Sequence, residues 1–212
     1  MKFASREDAG QRLGQYLKEH GIQADVVLGL PRGGVVVAAQ LAHILHLPLG
    51  VLVVRKIGHP WHREFAVGAL AENGVVVLDE QAIGRNPLIR IELNEIIQEE
   101  TERLNAYHAM FHQEQLDLVA KSVLLVDDGI ATGATTEAAV LSAKNQQAAK
   151  VTVASPVASA SAVERLQRVA DEVCVLCADA DFDAVGRYYE SFTQTTDEEV
   201  IDLLKAEMGR HV

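Results

Sequence analysis

Cysteine is scarce in this chain, with two residues among 212. That is too few for a disulfide framework, and no second pair or nearby histidine cluster completes a zinc site. Cys174 and Cys177 lie within an apolar run, Val173 to Cys177, where buried structural thiols are the simpler reading. Positive charge is also in short supply: 19 Lys and Arg stand against 30 Asp and Glu, for a formal charge of −11. This balance argues against broad nucleic-acid binding, because phosphate backbones need clustered Lys and Arg. No apolar run approaches the ~20 residues of a membrane span. The opening residues, Met1 to Asp8, lack the apolar core of a signal peptide. A cytoplasmic protein with neither membrane nor nucleic-acid partners is expected. Repeats, low-complexity segments and long linkers are missing too. What remains is an ordinary globular composition, 49% hydrophobic and 23% charged, long enough for one α/β domain with a small appended lobe.

Apolar strand-like runs recur at Val26 to Leu30, Leu49 to Val54, Val123 to Val126, Val151 to Ser155 and Val173 to Cys177. Helical patterns fill the gaps at about Arg6 to His20, Gly34 to Leu45, Gly133 to Gln147 and Ala160 to Ala170. Such alternation predicts a parallel sheet covered on both faces. Val67 to Leu70 and Val75 to Leu78 read instead as a hairpin, turned by Asn73-Gly74. Asn86-Pro87 is a cap and first residue for a long helix reaching to about Gln115. Its Glu-rich side suits a solvated surface or a homodimer interface.

The most informative stretch is Val123 to Thr136, V-L-L-V-D-D-G-I-A-T-G-A-T-T. A buried strand runs directly into two carboxylates, Asp127 and Asp128, at the end where open α/β sheets place their ligand crevice. Gly129 to Thr135 can wrap a phosphate with backbone N–H groups and the Thr132 and Thr135 hydroxyls. The helix beginning near Gly133 aims its positive end at the same anion. A Walker A loop is excluded, because Gly133 is followed by Ala134 rather than Lys. Paired acids suit a sugar diol and the loop suits a phosphate, so together they describe a phosphorylated ribose. Earlier in the chain, Gly29-Leu30-Pro31-Arg32-Gly33-Gly34 follows the first strand and opens a helix. Its glycines let backbone approach an anion and Arg32 adds charge. It is not a dinucleotide fingerprint, and no acid ends the second strand, where Arg55 and Lys56 stand instead.

The Asp127 stretch closely resembles the phosphoribosyl-pyrophosphate (PRPP) motif of the type I phosphoribosyltransferases. R-K-I-G-H-P followed by E-F-A-V-G-A resembles a subgroup of uncharacterised predicted members. The resemblance implies an α/β fold with a parallel sheet flanked by helices, a flexible loop or hairpin, and a small hood. On that pattern one domain spans 1–212, with its core at about 22–177 and its hood from 1–21 and 178–212. It assigns Asp127 and Asp128 to the ribose diol, and Gly129 and Ala131, Thr132, Gly133, Ala134 and Thr135 to the 5′-phosphate. Arg32, Gly33 and Gly34 become the pyrophosphate loop, with Arg55 and Lys56 either beside it or a surface pair. Mg²⁺ is the implied cofactor, held by Asp127 and Asp128 only indirectly, through PRPP and water. Ile57 to Gly68 takes the position of the family's mobile lid, in which Glu64 is a candidate proton-handling group. His59, His62 and Arg63 are its other polar groups.

Ala131 stands where relatives acting on hypoxanthine or guanine usually carry an Asp. That substitution weakens a 6-oxopurine assignment, since general acid–base help is worth roughly 10²–10⁴-fold where it is used. Base choice falls to the hood, where Phe182, Tyr188 and Tyr189 either stack on a planar base or pack as core. The expected reaction joins PRPP to a small nitrogen acceptor, a nucleobase, and releases pyrophosphate. A PRPP-binding regulator without useful catalysis is the rival reading. Hydrolysis or phosphorolysis of a ribosyl compound in the same pocket is a third.

Overall fold

Short β-branched runs set the centre of the molecule. The computed structural model describes residues 1–84, 87–111 and 116–208, without the side chains of Glu64, Pro87 and Met208. Ser5 caps the first helix by accepting the Asp8 N–H, and Arg6–Glu19 (α1) follows. Val26–Gly29 (β1), Gly33–Leu45 (α2) and Leu49–Val51 (β2) make a parallel crossover. Val54–His59 (β3), His62–Ala71 (β4) and Val76–Leu78 (β5) then form a separate antiparallel sheet. Helices Glu80–Ile83 (α3) and Pro87–Phe111 (α4) come next. The chain returns to the main sheet through Ser122–Val126 (β6), Ala134–Asn145 (α5), Lys150–Ser159 (β7), Ala160–Leu166 (α6) and Glu172–Asp179 (β8), and Asp197–Met208 (α7) closes the described part.

The main sheet is parallel throughout, in the order β2-β1-β6-β7-β8. Its inner strands are covered on both faces, which is why they read as unbroken apolar runs. Alternate residues feed two cores. Val27, Leu124 and Val126 join the side built with α1 and α2, whereas Val26, Leu28, Val123 and Leu125 join the α5 and α6 side. From β1 the chain crosses to β2 on one side, and from β6 it crosses to β7 on the other. The strand order therefore reverses between β1 and β6, the place where α/β sheets open a crevice beyond their carboxyl ends.

Two expectations need correction, and the lid segment takes a definite form. The run Leu49 to Val54 is two strands rather than one. Leu52 N–H still bonds Gly29 O at 3.2 Å, but Val53 N–H donates to the buried Glu72 carboxylate at 3.1 Å and Val53 O accepts from Glu72 N–H. That exchange turns the chain into the second sheet. The segment read as a mobile lid is a paired ribbon, β3 against β4, with its turn between His59 and His62. A Cβ on Gly58 would sit 2.3 Å from Arg63 O, so the glycine permits the close pairing there. Strand β7 runs past Pro156 to Ser159. Its pairing with β6 ends at Ala154, so Pro156 needs no N–H on that side while β8 continues the ladder.

Other elements sit where expected. Asn73 and Gly74 both take positive φ, 66° and 74°, as the hairpin turn requires. Asn86 and residues 112–115, read as the cap and end of the long helix, lie outside the described residues. The hood is tied across its two termini: Phe3 N–H bonds Tyr188 O, and Glu190 and Ser191 N–H bond Phe3 and Ala4 carbonyls.

Helix α1 approaches α2 through Gly10 and Gly14, and the two positions differ in what surrounds them. A Cβ at Gly10 would lie 2.8 Å from Gln40 Cβ and 2.9 Å from Val37 O, whereas at Gly14 the nearest atom is the mobile end of Ile44, at 2.8 Å. Alanine gains about 1 kcal/mol of helix propensity at either site. Gly10→Ala is expected to lower the denaturation midpoint in spite of that gain, and Gly14→Ala to lower it less or raise it. A higher midpoint for Gly10→Ala than for Gly14→Ala would contradict this account of the helix pair.

Candidate functional site

The crevice at the β1/β6 reversal is built from two loops. Leu30 N–H donates to Val126 O at 2.9 Å, joining the loop after β1 to the end of β6. The next residues press directly on the acids. A Cβ on Gly33 would fall 2.0 Å from Asp128 Oδ2, and one on Gly34 would fall 2.8 Å from Val126 O and 3.2 Å from Asp127 Oδ1. Only glycine fits at these contacts. The Pro31–Arg32 peptide is cis, and Arg32 leads into α2 with no side-chain cap of its own. Gly33 and Gly34 thus lie directly against Asp128 and Asp127.

Electrostatics at the paired acids are uneven. Burial pushes the Asp127 carboxyl well above the usual carboxylate range, and the Asp128 charge pushes it further. The Asp128 N–H, which donates to Asp127 Oδ1 at 2.9 Å, and the positive charge of Lys56 act in the opposite direction. Asp128 has a cation of its own. Arg6 Nε donates to Asp128 Oδ2 at 2.6 Å, and Tyr189 hydroxyl donates to Asp128 O at 2.6 Å.

The loop beyond the acids is pinned from β7. Ile130 bridges to Ala158, its N–H bonding Val157 O at 2.9 Å and its carbonyl accepting Ser159 N–H at 2.9 Å. Ser159 hydroxyl then donates to Ala131 O at 2.6 Å. Gly129 packs beneath Val185 of the hood, where a Cβ would come within 2.4 Å of that side chain. Gly133 turns with φ 77° into α5 and offers no side chain as a cap. Thr132 hydroxyl reaches Ala134 N–H only at 3.5 Å, and Ala131 and Thr132 are exposed. The start of α5 thus presents backbone N–H groups, with Thr132 and Thr135 beside them, as an anion cradle requires.

The structure separates other candidates. Alternation along β3 puts Arg55 and Lys56 on opposite faces. Arg55 Nε donates to the buried Glu100 carboxylate at 2.8 Å and lies over the Tyr107 ring, so it belongs to the contact with α4. Lys56 acts on Asp127. The Glu64 side chain lies outside the described residues.

Tyr188 and Tyr189 are buried. Phe182 stacks on Tyr188 at 5.4 Å, while Tyr189 lies against Phe3 at 5.6 Å and Phe192 at 5.1 Å. Both hydroxyls are used as well. Tyr188 donates to Asp179 Oδ2 at 2.5 Å, a bond that pushes the phenol up to about 12 and holds Asp179 below its ordinary range. Burial raises the Tyr189 phenol strongly. Of the two possibilities for these tyrosines, packing is the one the geometry displays.

Arg6 is the site residue to which sequence reasoning gives no role. It lies 122 positions from Asp128, and no local pattern marks it apart from its place just after a helix cap. Among the described residues, no group of three or more His, Cys, Asp or Glu converges to hold a metal ion alone. No helix among them is long and apolar enough to cross a membrane.

Comparison with known proteins places this geometry. The family described as "Phosphoribosyl transferase domain" matches residues 4–190. Two Mycobacterium tuberculosis proteins, named "Putative phosphoribosyl transferase MT0597" and "Putative phosphoribosyl transferase Rv0571c", are each 42% identical over 204 residues. The match covers 95% of this chain and 46% of theirs, so the chain spans about half the length of these curated relatives. The crystal structure of TT1426 from Thermus thermophilus is similar at a TM-score of 0.79 and 41% identity, covering 96% of this chain and 98% of that one. AQ2163 from Aquifex aeolicus, 14% identical with a TM-score of 0.53 over 85% of this chain and 78% of its own, shares the fold.

The Asp127 environment has a consequence for stability. A carboxyl whose folded-state pKa lies above its unfolded value costs no stability below the unfolded value of about 3.9, and costs increasingly more as pH rises through the folded value. Asp127→Asn is therefore expected to melt higher than the parent protein at pH 7 without ligand, and to lose that advantage near pH ~4. Thermal denaturation across this pH range checks it. A variant less stable at pH 7 would show that the carboxylate is not under the strain described.

Proposed function

The chain belongs to the phosphoribosyl transferase family, and we propose that it transfers the ribose 5-phosphate group of PRPP to a small nitrogen acceptor, a nucleobase, with release of pyrophosphate. The observation that carries this reading is the contact of Gly33 and Gly34 with Asp128 and Asp127. It puts a loop suited to a diphosphate and a carboxylate pair suited to a sugar diol within one ligand's reach.

Arg32 and the 33–34 backbone hold pyrophosphate in this scheme, and Asp127 and Asp128 accept hydrogen bonds from the ribose hydroxyls. Residues 129 and 131–135 receive the 5′-phosphate. The C1–oxygen bond to pyrophosphate breaks, the acceptor nitrogen forms its bond to C1, and the acceptor's proton leaves to solvent or a nearby base. Positive charge develops on the ribosyl carbon, and the two carboxylates lie where they can stabilise it. Catalysis rests on positioning and electrostatics without a covalent enzyme intermediate.

The donor set fits Mg²⁺ bound through ligand oxygens and water. Two carboxylates, one of them strongly disfavoured as an anion even with Lys56 acting on it, suit an added positive charge better than a closed metal cage. When bound, Mg²⁺ supplies charge neutralisation for the leaving pyrophosphate. The exposed, small Ala131 leaves room at the acceptor side and no proton-exchanging group, which favours acceptors that need none there. Phe182 keeps one stacking role open, against the side of the hood that Tyr188 does not cover. The tyrosines shape that hood from behind, and Glu64 stands as the lid's candidate proton-handling group.

Mg²⁺-dependent pyrophosphate release from PRPP, measured across purines, pyrimidines and related amines beside a no-acceptor control, tests the reading. Release with one acceptor class is expected. An Asp127→Asn/Asp128→Asn variant that stays folded should lose on the order of 10²-fold or more in rate. Saturable PRPP binding without release from any acceptor would favour a regulatory sensor. Full activity in the double variant would remove the assignment of the acids.

A further inference from the structure

The second acid of the pair is held at both ends by the hood. Arg6 Nε donates to its carboxylate at 2.6 Å, and the Tyr189 hydroxyl donates to its backbone carbonyl at 2.6 Å. Arg6 is itself immobilised. Its Nη1 donates to Thr193 O at 2.7 Å, and its guanidinium carbon lies 3.9 Å over the Phe192 ring. Phe192 stacks in turn on Tyr189 at 5.1 Å. Arg6 and Asp128 side chains are only 11% and 14% exposed. A Cβ on Gly33 would come within 2.6 Å of Arg6 Nε as well as 2.0 Å of Asp128 Oδ2, so the start of α2 closes on the same pair.

The geometry points to Arg6 as a positioning residue for ribose recognition. A guanidinium fork fixes both direction and distance, and its charge-assisted bond holds the Asp128 carboxylate in place beside Asp127. A carboxylate has about four lone-pair sites, so one bond to Arg6 leaves capacity for a ribose hydroxyl. Arg6 thus aims Asp128 without being consumed by the ligand. The contrast with Arg32 is informative. That side chain lies 3.8 Å from Asp197 Oδ1, with 33% and 26% of the two side chains exposed, a loose pair that a ligand can separate. The Arg6 pair has the short contact and double anchoring of a fixed support. It also links a residue of α1 to the ribose end of the site, leaving the pyrophosphate end to Arg32.

This inference rests on the PRPP reading, and calorimetry on the full chain with Mg²⁺ separates the two. PRPP and inorganic pyrophosphate are titrated into the parent protein, Arg6→Ala and Arg6→Lys. Arg6→Ala is expected to weaken PRPP about tenfold or more while changing pyrophosphate affinity by less than about twofold, because the lost charged hydrogen bond supports only the ribose acid. Arg6→Lys should recover part of the loss, since it restores charge without the fork. Equal weakening of both ligands would mean general structural damage and would overturn the proposal. Unchanged or tighter PRPP binding would overturn it too, the latter making Arg6 a competitor of ribose. If Arg6→Ala does not fold, Arg6→Lys decides: parent-like PRPP affinity sinks the proposal and selective weakening of PRPP supports it. No PRPP binding by the parent protein would remove the reading and this inference together.

Discussion

Two adjacent carboxylates at the buried end of a central strand are an unfavourable arrangement, and the rest of the site is organised around them. Burial and the neighbouring Asp128 charge both disfavour the charged form of Asp127. The protein relieves Asp128 with Arg6 and leaves Asp127 with a backbone N–H and the more distant Lys56. The two acids consequently differ in character although they are neighbours in sequence. Asp128 is structurally satisfied, while Asp127 is left in deficit. A ligand bringing hydroxyl donors and a bound cation supplies what Asp127 lacks.

The same constraint explains the glycines. Once the acids occupy the β1/β6 reversal, the loop from β1 must pass within van der Waals distance of them, and Gly33 and Gly34 are the residues that allow it. Gly129 does the equivalent service under the hood, at Val185. A parallel sheet converges these loops without long-range design, because every strand delivers its loop to the same edge. The hood, in contrast, reaches the site only through particular side chains. Arg6 arrives from the first helix and Tyr189 from the far end of the chain, and they meet on one residue.

What could be read in advance divides along that line. Val26 to Leu30 and Val123 to Val126 announced buried parallel strands, because strand burial is local, and the D-D-G-x-x-T-G stretch reads as a phosphorylated-sugar site on the same local footing. Gly33 and Gly34 mark a close backbone approach for the same reason, and the structure sets them against the acids. The split at Leu52-Val53 was not legible, since it depends on a carboxylate from Glu72, 19 positions away. The run read as a strand stops at Ser155, but pairing with β6 has already ended at Ala154, so the N–H missing at Pro156 costs nothing and β7 continues to Ser159. Arg55 and Lys56 looked equivalent as a pair. Strand alternation and Glu100 on α4 made them different. The Arg6–Asp128 contact left no local pattern, because it is made across the fold, 122 positions apart.

The most direct measurement is a crystal structure of the chain with PRPP and Mg²⁺. The account expects the ribose hydroxyls on Asp127 and Asp128, the diphosphate on the Arg32–Gly34 loop, and the 5′-phosphate on the amides before α5. A ligand bound at saturation elsewhere, or one whose ribose lies away from the paired acids, would contradict it.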